Sequence, residues 1–172
     1  MTTIYHPPYP FTPLLLSSDG EGLTGLHFVH SGEDMAVEQE GTLPIFKDVC
    51  KWLDDYFSGK KPDFTPEYRI VNATPFRREV LEILQTIPYG ETITYGEIAA
   101  QIAKSHNVDK ISAQAVGGAV GWNPIGIIIP CHRVLGVGKK LTGYGGGIPN
   151  KIGLLKIEGI EFAQLRELSL RN

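Results

Sequence analysis

Hydrophobic residues fall three and four apart along Pro44–Gly59, so Ile45, Val49, Trp52, Leu53 and Tyr56 share one face of a predicted helix. Pro44 suits its first turn and Gly59 its end. The spacing returns in Pro75–Ile87 through Phe76, Val80, Leu84 and Ile87, with Thr74 placed as N-cap and Pro88-Tyr89-Gly90 as the stop. Thr94 and Glu97 make a capping-box pair that opens a third helix to about Lys104, burying Ile98 and Ile102. Leu14–Ser18 and Leu23–His30 read instead as strands, joined by a turn at Asp19-Gly20-Glu21-Gly22, with partial alternation at Leu26 and Phe28. Three prolines in the first ten residues predict an extended arm.

Between these elements the pattern lapses. Ser31–Gly41 is a polar, acidic loop, and Lys60–Pro66 an exposed connection leading to a short extended piece at Tyr68–Val71. A boundary near Asn72 divides a small α/β unit, residues 1–72, from a mainly helical one, residues 73–172. After a polar turn at Ser105–Lys110, Ile111–Gly121 reads as a helix of small residues: Ala113, Ala115, Gly117, Gly118 and Ala119. Each of its adjacent glycines costs about 1 kcal/mol of helix propensity, so another surface comes close to this helix. Composition alone favours helix–helix packing inside the protein. Helix, short turn and helix is also the helix-turn-helix pattern. Val134–Gly147 holds six glycines and matches no phosphate-cradling motif, and Asn150–Glu158 reads as a last helix with Gly159 beyond its end.

Composition narrows the class. At 172 residues, 42% hydrophobic and 20% charged, the chain suits one large globular domain or two small ones. The two cysteines, Cys50 and Cys131, are too few for a disulfide framework and lack the Cys-x-x-Cys spacing, which fits a reducing cytoplasm. The expectation is a cytoplasmic protein without signal peptide or membrane span. A net charge of −3 argues against a polyanion partner until the halves are separated. Residues 1–74 carry 5 Lys and Arg against 11 Asp and Glu, and residues 75–172 carry 11 against 8, leaving −6 and +3. The second half is the one suited to nucleic acid, although +3 over that length also describes a solvated surface.

The candidate chemistry sits in Ile127-Ile128-Ile129-Pro130-Cys131-His132-Arg133. Three β-branched residues predict a buried strand or extended segment, which Pro130 ends. Cys131 follows, with an imidazole and a guanidinium as next neighbours, a setting that can stabilise a thiolate. A single cysteine is most often a small buried hydrophobe, and Cys50, inside its helix, is read that way.

The longer run from Asn123 to Val134, with its Pro-Cys-His-Arg-Val core, resembles the acceptor-site signature of the O6-alkylguanine-DNA alkyltransferases. The likeness extends from about Thr74 to Gly159 and more weakly through the N-terminal part. It implies a small ribonuclease-H-like α/β domain followed by a winged-helix-like domain with a helix-turn-helix. The reaction it implies is single-use transfer of an alkyl group from guanine O6, with O4-methylthymine a further substrate. Cys131 is then the acceptor, His132 takes its proton through a water, Glu158 orients His132, and Asn123 is the hinge of the acceptor loop. Tyr95 and Tyr144 contact the flipped base, the carbonyl of Val134 accepts its amine, and the N–H of Gly145 faces O6. Gln114, Ala115, Gly118 and Arg133 meet the minor groove of double-stranded DNA.

Two positions depart from the family pattern. Gln114 stands where an Arg often fills the gap left by the flipped base, which predicts weaker or more salt-tolerant DNA binding. Gly145 stands where some relatives carry Ser, which predicts a wider pocket. Some relatives bind zinc in the N-terminal part. Here that part offers only Cys50, His6, His27 and His30, so no metal and no cofactor is expected. A monomer that clusters on DNA is the expected assembly. The alternatives are an alkyltransferase-like protein that marks damage without repairing it, against which Cys131 argues, and a thiol sensor controlling transcription, against which the lack of an N-terminal cysteine cluster argues.

Overall fold

A computed structural model describes residues 1–30 and 43–161, and the acidic loop predicted at Ser31–Gly41 lies outside them. The architecture is mixed α/β. Strands β1 (Thr2–Tyr5), β2 (Leu14–Ser18) and β3 (Leu23–Phe28) form an antiparallel sheet in that order. The N-terminal arm is therefore partly an edge strand: its prolines follow β1 rather than interrupt it, and Thr2 pairs with Ser17 while Tyr5 pairs with Leu14. Leu14, Leu16, Leu26 and Phe28 bury the alternate face.

Helix α1 (Pro44–Phe57) covers that face with Phe46, Val49, Trp52, Leu53 and Tyr56. Burial of each such side chain is worth about 1.5–3 kcal/mol. Ile45, assigned to this stripe from its spacing, is only half buried, and Phe46 takes the inward position. The second half contributes α2 (Pro75–Gln85), α3 (Tyr95–Ser105), α4 (Ala113–Gly121) and α5 (Ile148–Ile157). Thr74 caps α2 by accepting from Arg77 N, and Thr94 and Glu97 form the full reciprocal capping box on α3. Ser112 caps α4, which starts two residues later than its apolar pattern suggests. Helix α5 starts two residues early because Gly147, at φ 90, turns the chain into it and Pro149 suits its first turn.

Two parallel strands of two residues, β4 (Ile93–Thr94) and β5 (Val134–Leu135), tie the start of α3 to the segment after Cys131. One buried cluster runs through both halves, from Leu14 and Tyr56 to Val116 and Leu154. Among the described residues no helix is long and apolar enough to cross a membrane.

Candidate active site

The acceptor segment is welded to the edge of the first sheet. Leu26 N donates to the Pro124 carbonyl, and Gly126 N donates to the Leu26 carbonyl, both at 2.8 Å. Ile125 is the bridging residue. The chain then leaves the sheet, and of the buried strand or extended segment expected for the isoleucines the strand does not form. Ile128 N bonds the Gly126 carbonyl at 2.8 Å, closing a three-residue turn around Ile127 at φ 66. Left-handed backbone at a β-branched residue is rare and costs about 1–3 kcal/mol, a strain held here by full burial of Ile127 and Ile129. Asn123 braces the bend from inside, donating from Nδ2 to the Ile129 carbonyl at 2.8 Å and accepting from Ile125 N at 3.0 Å. That is the hinge position the resemblance assigns to it.

Pro130 ends the bend, and Cys131–Arg133 form a single turn of 3₁₀-helix. With about three residues per turn, the three side chains diverge. Cys131 opens on a cavity of about 470 Å³, which Tyr95, Asn123, Tyr144, Gly145 and Gly117 also line. The first half supplies the opposite wall through Leu26, His27, Phe28 and His30. His30 Nε2 lies 2.5 Å from the Gly145 carbonyl and donates to it, joining the β3 end to the glycine-rich loop. Gly146 is required there, because a Cβ would sit 2.6 Å from Phe28 and 2.7 Å from Tyr144.

His132 and Arg133 turn the other way, to Glu158 at the C-terminal end of α5. His132 Nε2 is 2.5 Å from Glu158 Oε2, and Arg133 Nε is 2.6 Å from Oε1. Gly90 N donates to Oε1 at 3.0 Å and the Tyr56 hydroxyl to Oε2 at 2.6 Å. The buried carboxylate thus accepts four hydrogen bonds, close to the capacity of its lone pairs. Burial pushes its pKa up. The His132 hydrogen bond and charge, with those of Arg133, overturn that and leave it at about 2. An ionised carboxylate only accepts, so His132 Nε2 carries its proton and Nδ1 is the basic nitrogen. Nδ1 is buried and, among the described residues, has no hydrogen-bond partner. Burial holds the imidazole below its ordinary pKa, against the pull of Glu158, so the ring is a neutral base.

Burial raises the Cys131 thiol, and the Asn123 side chain, the Lys151 charge and the Tyr144 hydroxyl act to lower it. Lys151 is fully buried on α5 and donates to the Val134 carbonyl at 2.6 Å and the Thr142 carbonyl at 3.3 Å. Burial brings its pKa down to about 8, while the sulfur pulls it up. Tyr144 is pushed well above the ordinary phenol range by burial and then by Cys131, so it stays a donor to sulfur. Tyr95, half buried at the start of α3, is raised chiefly by burial.

The fold therefore gathers Cys131, Asn123, Tyr95, Tyr144 and Gly145 around one cavity, and joins His132 to Glu158 behind it. Val134 is buried, and its carbonyl already accepts Lys151 while keeping a second lone pair. Arg133, expected at the minor groove, faces inward here: its guanidinium meets Glu158 and, at 2.7 Å, the Ile87 carbonyl, with the side chain only 11% exposed. Gln114, Ala115 and Gly118 are exposed on α4. The internal packing favoured from composition holds for Gly117, whose Cβ position meets the Tyr95 ring at 3.9 Å. It fails for Gly118 and Gly121, whose Cβ positions meet nothing within 4 Å among the described residues. Among the described residues no group of three or more His, Cys, Asp or Glu is placed to hold a metal ion.

Sequence reasoning missed Lys151 and the role of Tyr56. Lys151 shares a helical face with Leu154 and Leu155, so a lysine in an apolar stripe was a usable signal. Tyr56 was legible as core, but nothing local shows that its hydroxyl meets Glu158.

A thiol that opens on a cavity, with a buried His132–Glu158 pair behind it and a helix of small residues beside it, is the setting of a protein whose cysteine can act on a bound substrate. Known proteins agree. Residues 75–160 match the 6-O-methylguanine DNA methyltransferase DNA-binding domain, and residues 3–68 match the ribonuclease-like domain of the same family. A methylated-DNA–protein-cysteine methyltransferase of Haemophilus influenzae is 39% identical, aligned over 94% of this chain and 90% of its own. One from Methanosarcina acetivorans is 41% identical over 87% and 94%. The crystal structure of the Mycobacterium tuberculosis O6-methylguanine methyltransferase superposes with a TM-score of 0.75 at 41% identity, covering 92% of this chain and 93% of that one. The same organism's protein in complex with DNA superposes at 0.72 and 38%, covering 99% and 98%. The chain belongs to the 6-O-methylguanine DNA methyltransferase family.

Proposed function

We propose that this protein repairs DNA by moving the alkyl group of O6-alkylguanine onto Cys131, once per molecule. The observation that carries the reading is the half-buried Cys131 at a 470 Å³ cavity, backed by a neutral His132 whose Nε2–H is held by ionised Glu158. Curated relatives that carry the methylated-DNA–protein-cysteine methyltransferase name support it, as does the likeness to a relative bound to DNA.

The thiol proton passes to His132 Nδ1 through a bridging water, leaving a thiolate. The thiolate attacks the alkyl carbon in line. The S–C bond forms as the O6–C bond breaks, and that electron pair goes to the purine, which takes a proton by way of the Tyr95 hydroxyl and leaves as guanine. Lys151 opposes the cost of burying the thiolate charge, and Asn123 and Tyr144 donate toward the sulfur. The product is a thioether, which water does not open, so the acceptor is consumed.

Helix α4 docks in the minor groove, where exposed Gly118 lets backbone approach and Gln114 enters the space left by the base. Minor-groove contact reads sequence poorly, which suits a search for lesions in any context. The target base swings out of the stack at about a few kcal/mol and enters the cavity. The protein acts as a monomer on DNA, with residues 1–72 and 73–172 as its two domains. A reducing cytoplasm keeps its acceptor a thiol.

Intact mass after incubation with a duplex carrying O6-methylguanine tests the reading. One methyl on Cys131, no gain in Cys131→Ser, and one lesion cleared per molecule are expected. Binding without mass gain, or many lesions cleared per molecule, overturns it.

A further inference from the structure

Tyr56 reaches the acceptor chemistry from the other half of the protein. It lies on α1, with 1% of its surface exposed. Its ring stacks on Trp52 at 5.4 Å between centroids and meets the His132 ring edge-on at 6.3 Å. Its hydroxyl donates to Glu158 Oε2 at 2.6 Å and lies 3.4 Å from His132 Nε2. Glu158 Oε2 is thus shared by two donors, a phenol from α1 and the imidazole that serves the thiol. We propose that the Tyr56 hydroxyl is a positioning group for alkyl transfer: by occupying Oε2 beside His132 it limits how strongly that carboxylate holds the imidazole, and so tunes the base. This rests on the alkyl-transfer reading above.

The sign follows from the geometry. A phenol bonded to a carboxylate spreads its negative charge and weakens its hold on any other donor. Burial and the adjacent anion keep the Tyr56 phenol protonated, so it donates throughout the working range. The other groups facing His132 are Glu158 and Lys151 on α5 and Arg133 on its own turn. Tyr89, in the α2–β4 connection, faces Glu158 and Arg133. The two cations disfavour an imidazolium, and Glu158 is the group that favours it. Removing the Tyr56 hydroxyl leaves Oε2 to His132 alone, so His132 accepts a solvent proton at higher pH. The neutral base is then lost earlier as the solution is acidified. A role in packing alone predicts a different result, an equal loss of rate at every pH.

The test uses the full chain with Tyr56→Phe, which keeps the ring and removes only the oxygen. Single-turnover transfer from an O6-methylguanine duplex is followed across pH, and the His132 ring titration is followed by nitrogen NMR without DNA. The expected result is an acid limb moved up by about half to one pH unit. That lowers the rate about three- to tenfold at pH values well below both titrations and leaves the alkaline plateau within about twofold. The His132 titration shifts in the same direction. Trp52→Phe disturbs the same packing but keeps the hydroxyl, and its limb stays with the wild type. A uniform loss, an unmoved limb or an unmoved His132 titration in Tyr56→Phe overturns the proposal. If wild type gains no alkyl group on Cys131, the alkyl-transfer reading fails, and the NMR shift alone decides whether Tyr56 tunes His132.

Discussion

Lys151 shows how one buried charge can serve both structure and chemistry. An ammonium in the interior is costly unless acceptors surround it, and this one has the carbonyls of Val134 and Thr142. It also counters the burial that raises the Cys131 thiol. Lys151→Met keeps the length and removes the charge, so transfer at pH 7 should slow by about tenfold, one pKa unit at the thiol. The pH dependence separates this from a packing defect. The Lys151 ammonium is present below about pH 8 and fades above it. The ratio of wild-type to variant rate should therefore shrink toward one between pH 8 and pH 9.5. A ratio constant across that range would show that charge is not what Lys151 contributes.

At the scale of elements, regular helices were readable and the acceptor bend was not. Caps at Thr74 and Thr94 and the stripes of α1, α2 and α3 depend on neighbours within a few residues, which the sequence displays. Three isoleucines spelled a strand because β-branched residues prefer one. Tertiary bonds from the β3 edge and from Asn123 instead force Ile127 to φ 66, and no local pattern encodes those partners. The place of Cys131 and His132 just after Pro130, at the end of the isoleucine run, was legible from the motif, whereas the inward turn of Arg133 required knowing where Glu158 and Ile87 lie.

Helix α4 yields two tests at this scale. A methyl at Gly118 meets nothing within 4 Å among the described residues, so Gly118→Ala should raise thermal stability by about 1 kcal/mol while weakening binding to duplex DNA. Tighter or equal binding would remove Gly118 from the interface. Gln114→Arg adds a guanidinium on the same exposed face and should tighten binding, with a steeper salt dependence. An unchanged affinity across a salt series would rule that out.

For the molecule as a whole, Glu158 is where separate segments meet. Tyr56 arrives from α1, Gly90 from the α2–β4 connection, and His132 and Arg133 from the acceptor turn, while Glu158 itself ends α5. Gly90 holds its place at φ 82, with the Glu158 carbonyl 3.1 Å from where a Cβ would stand. The four hydrogen bonds exist fully only while the carboxyl is ionised. Its pKa stands at about 2 against an ordinary 4.5. The unfolded chain therefore binds this proton at higher pH than the folded one. The linked stabilisation is complete above pH 4.5 and drains away as pH falls toward 2, on the order of 3 kcal/mol. Glu158→Gln removes the charge and places an amide N–H against one of the four donors. Urea unfolding from pH 6 down to pH 3 should show a steep loss of stability in wild type. The variant should be less stable at pH 6 and have a markedly flatter profile. Parallel profiles would mean that other carboxylates, not this one, govern how acid opens the two halves. Because the same carboxylate aims His132, the variant should also slow transfer by about a hundredfold at pH 7, so one substitution reads out the joint and the chemistry together.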